Sequence, residues 1–210
     1  MVIDGNDLEL PATGLELPTA SRDPADRPPA PGRLRLVQAL VNTVSRHHGV
    51  DLLGTPQDAR RWLAAAGLLP PGQPLAESGQ RELLELRESV RAVLEAHTHG
   101  TGEPAAADRM TMALMRCRLM VAADPAGAVR LRCADHDPFA RAVGAIAIAI
   151  ADSAAAGTWA RLKSCPASDC GWAFYDRSPT GQSQWCSMQV CGARAKMRAY
   201  RRRRAAPPPS

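Results

Sequence analysis

Apolar residues recur at helical spacing in most of the chain that follows residue 32. The first such stretch begins at Arg33 and carries Val37, Leu40 and Val44 on one face. This pattern predicts a helix that ends near Gly49. A second helix is predicted to begin at the capping residue Thr55, with Pro56 at its first position, and to end at Gly67.

The same pattern predicts further elements along the chain. A long amphipathic helix lies between Gly79 and His97, and a short helix covers Arg109–Met115. The segments Cys117–Val121 and Ala128–Cys133 flank a turn and read as a β-hairpin. A last body helix begins at Asp137-Pro138 and ends at Gly157. We therefore expect a mainly α fold with a small β-hairpin, in the α+β class.

The two ends of the chain have a different composition. Residues 1–32 contain six prolines and little apolar periodicity, which predicts a disordered, Pro-rich leader. Residues 205–210 are predicted to form a disordered tail. Between them we expect a helical domain over 33–158 and a small C-terminal module over 159–204 that ends in a basic helix.

Four cysteines form two equally spaced pairs, Cys165-x4-Cys170 and Cys186-x4-Cys191. Such a set can hold one Zn²⁺ through four thiolates. Two disulfides, unpaired buried thiols and an iron–sulfur cluster are the alternatives. Zinc is favoured because the pairs match and none of the cysteines in this region is left over. With no neighbouring histidine and no open coordination position, the ion is expected to be structural.

The other candidate ligands are interpreted as structural. Cys117 and Cys133 lie in predicted strands and read as buried core cysteines. The histidines cluster mainly at predicted helix ends, which does not favour a second metal site. Asn42 and Thr43 interrupt the apolar face of the first helix; they either bind a ligand or cap a turn, and the second reading is favoured.

Charge is distributed unevenly along the chain. The net charge is +5, but residues 161–210 carry ten Lys or Arg and only two Asp. A basic end on an acidic body is typical of a protein that meets a polyanion. The alternative is a solvated tail that only raises solubility.

The segment after Gly192 reads as a helix with basic flanks. Ala193, Met197 and Tyr200 share one face, which we expect to pack on the zinc module. The candidate nucleic-acid contacts, including one loop arginine, are Arg177, Arg194, Lys196, Arg198, Arg201, Arg202, Arg203 and Arg204.

The sequence disfavours secreted proteins, membrane proteins and enzymes. The N-terminus has acidic residues where a signal peptide needs basic ones, and the most apolar run, Val143–Ala151, is far shorter than the ~20 residues that span a bilayer. We expect a cytoplasmic protein with no membrane partner. Because no Ser/His/Asp grouping, paired carboxylates or Gly-rich phosphate loop is present, we do not expect an enzyme.

Residues 162–204 resemble the bacterial CGNR zinc-finger family. The matching elements are the first cysteine pair, the aromatic-Asp-Arg-Ser stretch Phe174–Ser178, the run Trp185–Met188, and Cys191-Gly192 with Arg194 and Lys196. The body resembles the helical ABATE domain that usually precedes this finger. Asn42-Thr43, Trp62-Leu63 and Ala160-Arg161-Leu162 carry that resemblance.

The resemblance implies a transcriptional regulator linked to stress responses, with a finger that binds DNA. It implies that Cys165, Cys170, Cys186 and Cys191 are the zinc ligands. Two departures stand out: Ala193 replaces the Asn of the naming motif, and the loop 179–184 lacks the arginines common there. DNA contact is therefore expected from the C-terminal helix.

These observations combine into one hypothesis and one alternative. The hypothesis is a DNA-binding regulator in which structural zinc supports an arginine-rich helix, and the N-terminal domain senses a small-molecule effector or forms a homodimer. The alternative is a zinc-scaffolded protein-interaction module whose basic tail binds an acidic partner.

Overall fold

Helices make up almost half of the part of the chain that the structure describes. A computed structural model describes residues 17–205. The helices are α1 (Leu34–Val41), α2 (Pro56–Ala65), α3 (Glu77–His99), α4 (Pro104–Leu114), α5 (Pro138–Ala155) and α6 (Ala193–Ala205). The predicted α+β class, with a C-terminal module that ends in a helix, is confirmed.

The strands form three antiparallel hairpins within residues 17–205. They pair β1 (Val44–Ser45) with β2 (Val50–Asp51), β3 (Leu119–Ala123) with β4 (Val129–Cys133), and β5 (Leu162–Ser164) with β6 (Ala173–Tyr175). Only the β3–β4 hairpin was predicted in the body. The β5–β6 hairpin opens the cysteine-rich module.

Side-chain caps set two of the predicted helix starts. The hydroxyl of Thr55 accepts a hydrogen bond from the Asp58 amide (3.1 Å), and the Asp137 carboxylate accepts one from the Ala140 amide (2.8 Å). Each cap satisfies an amide that the first turn of a helix leaves without a partner. Gly100 ends α3 with a φ of 74°, a conformation that glycine adopts without strain.

The first helix is shorter than predicted. It ends at Val41, and Val44 pairs instead with Asp51 in β1–β2. The Thr43 hydroxyl donates to the Leu40 carbonyl (2.7 Å), and the Thr43 carbonyl accepts from the Leu52 amide (2.8 Å). These bonds divert the backbone from the helix. The short helix predicted over 109–115 also differs: α4 starts earlier, with Pro104 in its first turn.

Residues 17–32 of the predicted disordered leader form hydrogen bonds with the helical body, and residues 1–16 lie outside the described residues. The Ala20 amide donates to the Asn42 carbonyl (2.8 Å), and the Trp62 indole donates to the Pro18 carbonyl (2.9 Å). Ala30 is buried, and its amide donates to the Gln38 side chain (2.6 Å). A proline-rich segment can thus be ordered by tertiary contacts that its own composition does not reveal.

The core lies between α1, α3 and α5. Leu40, Leu86, Val90 and Ile146 are fully or almost fully buried there. By length and composition alone α5 could cross a bilayer, but two-thirds of it is buried inside the protein. It is the core helix of the body.

Cys117 and Cys133 lie side by side against this core. Cys117 is buried and lies two residues before β3 rather than in it, while Cys133 is half-buried in β4. Burial raises the pKa of Cys117 to about 11. Both thiols pack on Gly144 of α5, where a side chain would collide with Cys133. They act as small packing residues, as predicted.

Hydrogen bonds from the helical body hold the β5–β6 hairpin. The Asn42 amide group donates to the Ala173 carbonyl (2.9 Å), and its oxygen accepts from the Ala173 amide (2.8 Å). On the other strand, Thr98 of α3 donates to the Ser164 carbonyl (2.8 Å). The preference for Asn42 as a turn cap is therefore wrong: its side chain binds β6 as a neighbouring strand would. Thr43 does cap its own turn.

Replacing Asn42 by Ala should lower the free energy of unfolding by about 1–3 kcal/mol, because the buried Ala173 amide loses its acceptor. Chemical denaturation of the zinc-loaded protein measures this. Gln57→Ala, on an exposed position of α2, is the control and should change little. Equal stability of both variants would contradict the assigned docking contact.

Candidate metal centre and basic helix

The fold brings the four cysteines that were predicted to bind zinc close together. Their sulfur atoms all lie within 4.8 Å of one another. The Cys170 and Cys186 sulfurs are 3.5 Å apart, and those of Cys186 and Cys191 are 3.6 Å apart. Tetrahedral zinc with bonds of about 2.3 Å places its sulfur ligands about 3.8 Å apart, so the cluster has the size of a single-ion site.

These distances decide between the alternatives left open by the sequence. A disulfide joins sulfurs at about 2.05 Å, and none of the six cysteines forms one. Sulfurs this close surround one ion rather than a multi-iron cluster. Cys165, Cys186 and Cys191 are buried, and Cys170 is half-buried, which leaves no open coordination position for a substrate. The arrangement fits one structural Zn²⁺ held by all four cysteines.

Three of the clustered thiols shift one another's pKa values through their mutual hydrogen bonds. Hydrogen bonds from Cys170 and Cys186 lower the pKa of Cys165. The same contacts with Cys165 raise the pKa values of Cys170 and Cys186. Ionisation of the Cys165 thiol thus disfavours ionisation of Cys170 and Cys186. Only a positive ion among them lets all four act as thiolates.

Two tight turns present the ligands. In the first, the Cys170 amide donates to the Ala167 carbonyl (2.8 Å), and the Cys165 amide extends the β5–β6 ladder by donating to the Trp172 carbonyl (2.9 Å). In the second, Met188–Gly192 forms a π-helical turn, and the Cys191 amide donates to the Ser187 carbonyl (2.9 Å). This turn leads directly into α6.

A small core of its own covers the cluster. Ala167, Trp172 and Phe174 are buried against the cysteines, and Trp185 packs at its side. The module is too small to bury much apolar surface, so metal binding supplies a large part of its folding free energy.

A buried ion pair fixes the loop between the two cysteine pairs. The Lys163 ammonium lies 3.0 Å from the Asp176 carboxylate, and neither side chain is more than 5% exposed. The carboxylate also accepts from the amides of Ser178 (2.9 Å) and Ser183 (2.8 Å). Burial alone would raise the pKa of Asp176, but these hydrogen bonds and Lys163 hold it well below its usual range.

Arg194, a predicted nucleic-acid contact, lies at the metal site. Its guanidinium donates to the Cys191 sulfur (3.3 Å) and to the Asp169 carboxylate (2.7 Å). A cation beside a zinc-bound thiolate offsets part of the negative charge of a four-thiolate site. Asp169, which the sequence reasoning missed, joins α6 to the first turn.

Arg177, the predicted contact in the loop, is exposed but also has partners within the protein. It donates to the Pro29 carbonyl (2.7 Å) and lies over the Tyr175 ring, 5.1 Å from its centre. From the same leader segment, Arg27 donates to the Cys186 carbonyl and stacks over Phe174. Asp23 accepts from the Trp172 indole (3.3 Å). The leader therefore covers one face of the finger.

The remaining predicted contacts point outward from α6. This helix carries seven basic residues and no acidic one. Those that are exposed are Lys196, Arg198, Arg201, Arg202, Arg203 and Arg204.

The predicted packing face of α6 is wrong. Met197 is 54% exposed and Tyr200 is 48% exposed, so neither packs on the zinc module. The helix is attached instead through its first turn, by the Cys191 turn and by Arg194 with Asp169. Arg198 is close to the same carboxylate, at 3.9 Å. The spacing of apolar residues predicted that this face of α6 is buried, but the zinc module is too small to contact Met197 and Tyr200.

Replacing Cys186 by Ser should abolish stoichiometric zinc binding and unfold the C-terminal module, because the buried hydroxyl is a poor zinc ligand. Metal analysis measures the first effect, and near-ultraviolet circular dichroism of Trp172 and Trp185 measures the second. Cys133→Ser, outside the cluster, should keep its zinc. Full zinc content in Cys186→Ser would refute the assigned site.

Asp176→Asn should lower the free energy of unfolding by about 3 kcal/mol, since it leaves the buried Lys163 ammonium without a counter-charge. Asp152→Asn, which breaks the exposed ion pair with Arg33, should lower the free energy of unfolding by at most about 1 kcal/mol. Denaturant titrations of both variants give the comparison. Similar losses would show that burial does not distinguish the two pairs.

Comparison with known protein families agrees with this geometry. Residues 34–157 match the ABATE family, described as a putative stress-induced transcription regulator, and residues 161–204 match the CGNR zinc finger. Neither is a family of enzymes. A search of curated proteins gives no match. Since the first match covers more than half of the chain, the protein belongs to the ABATE family and carries a C-terminal CGNR zinc finger.

Proposed function

We propose that the protein is a DNA-binding transcriptional regulator whose contacts with DNA come from α6. The observation that carries the proposal is the set of six exposed basic residues on this one helix, with no acidic residue among them. Phosphate oxygens attract such a surface, and each contact releases counterions from the DNA. The proposal includes no catalytic role.

The zinc site supports this role by fixing where α6 begins. The helix follows Cys191 without an intervening loop, and Arg194 connects its first turn to Asp169 beside the first cysteine pair. Basic residues beyond that turn then project from a rigid base. This arrangement holds the helix ready to bind, so less conformational freedom is lost when it meets DNA.

The net charge of the finger does not tell which of its charged residues already have partners inside the module. Asp169 and Asp176 are the two acids among residues 161–210, and both are paired inside the module. Lys163, Arg177 and Arg194 are likewise held by internal partners. Most of the exposed basic residues of the finger therefore lie on α6, and Arg177 is exposed as well.

A protein-interaction function is the second candidate, and the exposed side chains of Met197 and Tyr200 favour it. An apolar pair flanked by arginines suits an acidic protein groove. Met197→Ala/Tyr200→Ala would abolish such an interaction and leave the salt dependence of DNA binding unchanged.

The triple variant Arg198→Ala/Arg201→Ala/Arg202→Ala should weaken DNA binding and reduce the slope of log K against log salt by about 2.7, if each residue neutralises one phosphate. Gel shifts or anisotropy with duplex DNA at several salt concentrations measure the slope. The control Arg61→Ala/Arg81→Ala/Arg109→Ala removes the same charge from the body. An unchanged slope in the α6 variant, or an equal change in both, would refute the role of the helix.

A further inference from the structure

The β3–β4 hairpin exposes apolar side chains on the body, away from the finger. Val121 and Val129 are 65% and 67% exposed, and Leu119 and Met120 are 39% and 46% exposed. Two-stranded hairpins with an open apolar edge invite pairing with another strand, and proteins usually protect such edges with charge or cover. In the described part of this chain, no third strand covers β3.

The hydrogen bonds of the hairpin show which backbone groups of β3 are free. The Ala134 amide donates to the Arg118 carbonyl (2.8 Å), and the Asp124 amide donates to the Ala128 carbonyl (2.9 Å). Even-numbered residues of β3 therefore bond to β4. In an antiparallel pair the intervening residues point their amides and carbonyls the other way. These are Leu119, Val121 and Ala123, which have no other backbone partner among residues 17–205.

The sequence of this strand complements itself. Arg118 directly precedes β3, Asp124 directly follows it, and the strand between them is apolar. When two copies align antiparallel about Val121, Arg118 of each copy faces Asp124 of the other. Leu119 then faces Ala123, and Val121 faces its own equivalent. This one register pairs all the free backbone groups and opposes unlike charges at both ends.

We propose that two copies of this chain form a homodimer by pairing their β3 strands in this register. The interface is isologous, as a twofold axis requires, and it joins two hairpins into a four-stranded sheet ordered β4-β3-β3-β4. At each end of the paired strands, Arg118 of one copy faces Asp124 of the other. Within its own chain, Arg118 already pairs with Asp135, and Asp124 pairs with Arg130. The dimer carries two copies of α6, and self-association is measured without DNA, so the proposal is tested independently of the proposed function.

The position on the twofold axis gives the sharpest test. Val121→Glu places two carboxylates opposite each other, and Val121→Arg places two guanidinium groups there. Each variant should be monomeric, whereas an equimolar mixture should form a heterodimer. Sedimentation or light scattering of the zinc-loaded full chain at about 100 μM, above the micromolar dissociation constants of weak interfaces, gives the mass.

Two further variants control for folding and for surface charge. Met112→Glu changes a similarly exposed methionine (67%) outside the strand and should leave the dimer intact. Val121→Pro removes the amide that points away from β4, so the hairpin keeps its own bonds while the dimer loses two, one from each copy. If Val121→Glu fails to fold by circular dichroism, the mass of Val121→Pro decides the question.

The expected result is a dimeric wild type, monomeric single variants at Val121 and a restored dimer in the mixture. A monomeric wild type would overturn the proposal. So would dimers of Val121→Glu or Val121→Pro, since they would place the interface elsewhere. Failure of the mixture to associate would rule out the register in which Val121 faces itself.

Discussion

Four sulfur atoms held within 4.8 Å of one another constrain the C-terminal module of this protein, residues 161–204. Thiolates at such distances repel, and a single positive ion turns the repulsion into a tetrahedral attachment. The two cysteine turns, the small aromatic core and the start of α6 all depend on that ion. Without it, the module has too little buried apolar surface to remain folded.

The finger is also part of the body rather than an appendage to it. The Asn42 side chain hydrogen-bonds to the backbone of β6 as a neighbouring strand would, and Thr98 donates to the backbone of β5. His97 adds a contact with the Leu162 carbonyl (2.8 Å). Short, directional hydrogen bonds therefore join the helical domain of residues 34–157 to the β5–β6 hairpin that precedes the first cysteine turn.

Much of this arrangement could be predicted from the sequence, where local chemistry decides the structure. Thr55 and Asp137 cap their helices as expected, and the matched cysteine pairs identified the zinc ligands. Predictions failed where a long-range contact outweighs a local pattern. Val44 continues the helical spacing of α1 but lies in a strand, and Met197 and Tyr200 continue an apolar stripe that finds no surface to cover.

The leader was the least predictable segment, and its position has a consequence for how the protein can be divided. Family similarity begins at residue 34, yet Arg27 holds the carbonyl of a zinc ligand and Asp23 holds the Trp172 indole. A fragment trimmed to the family boundary would keep every metal ligand and still uncover an aromatic face of the finger. The contacts that cover the finger therefore begin upstream of both matched families, at least as early as Asp23.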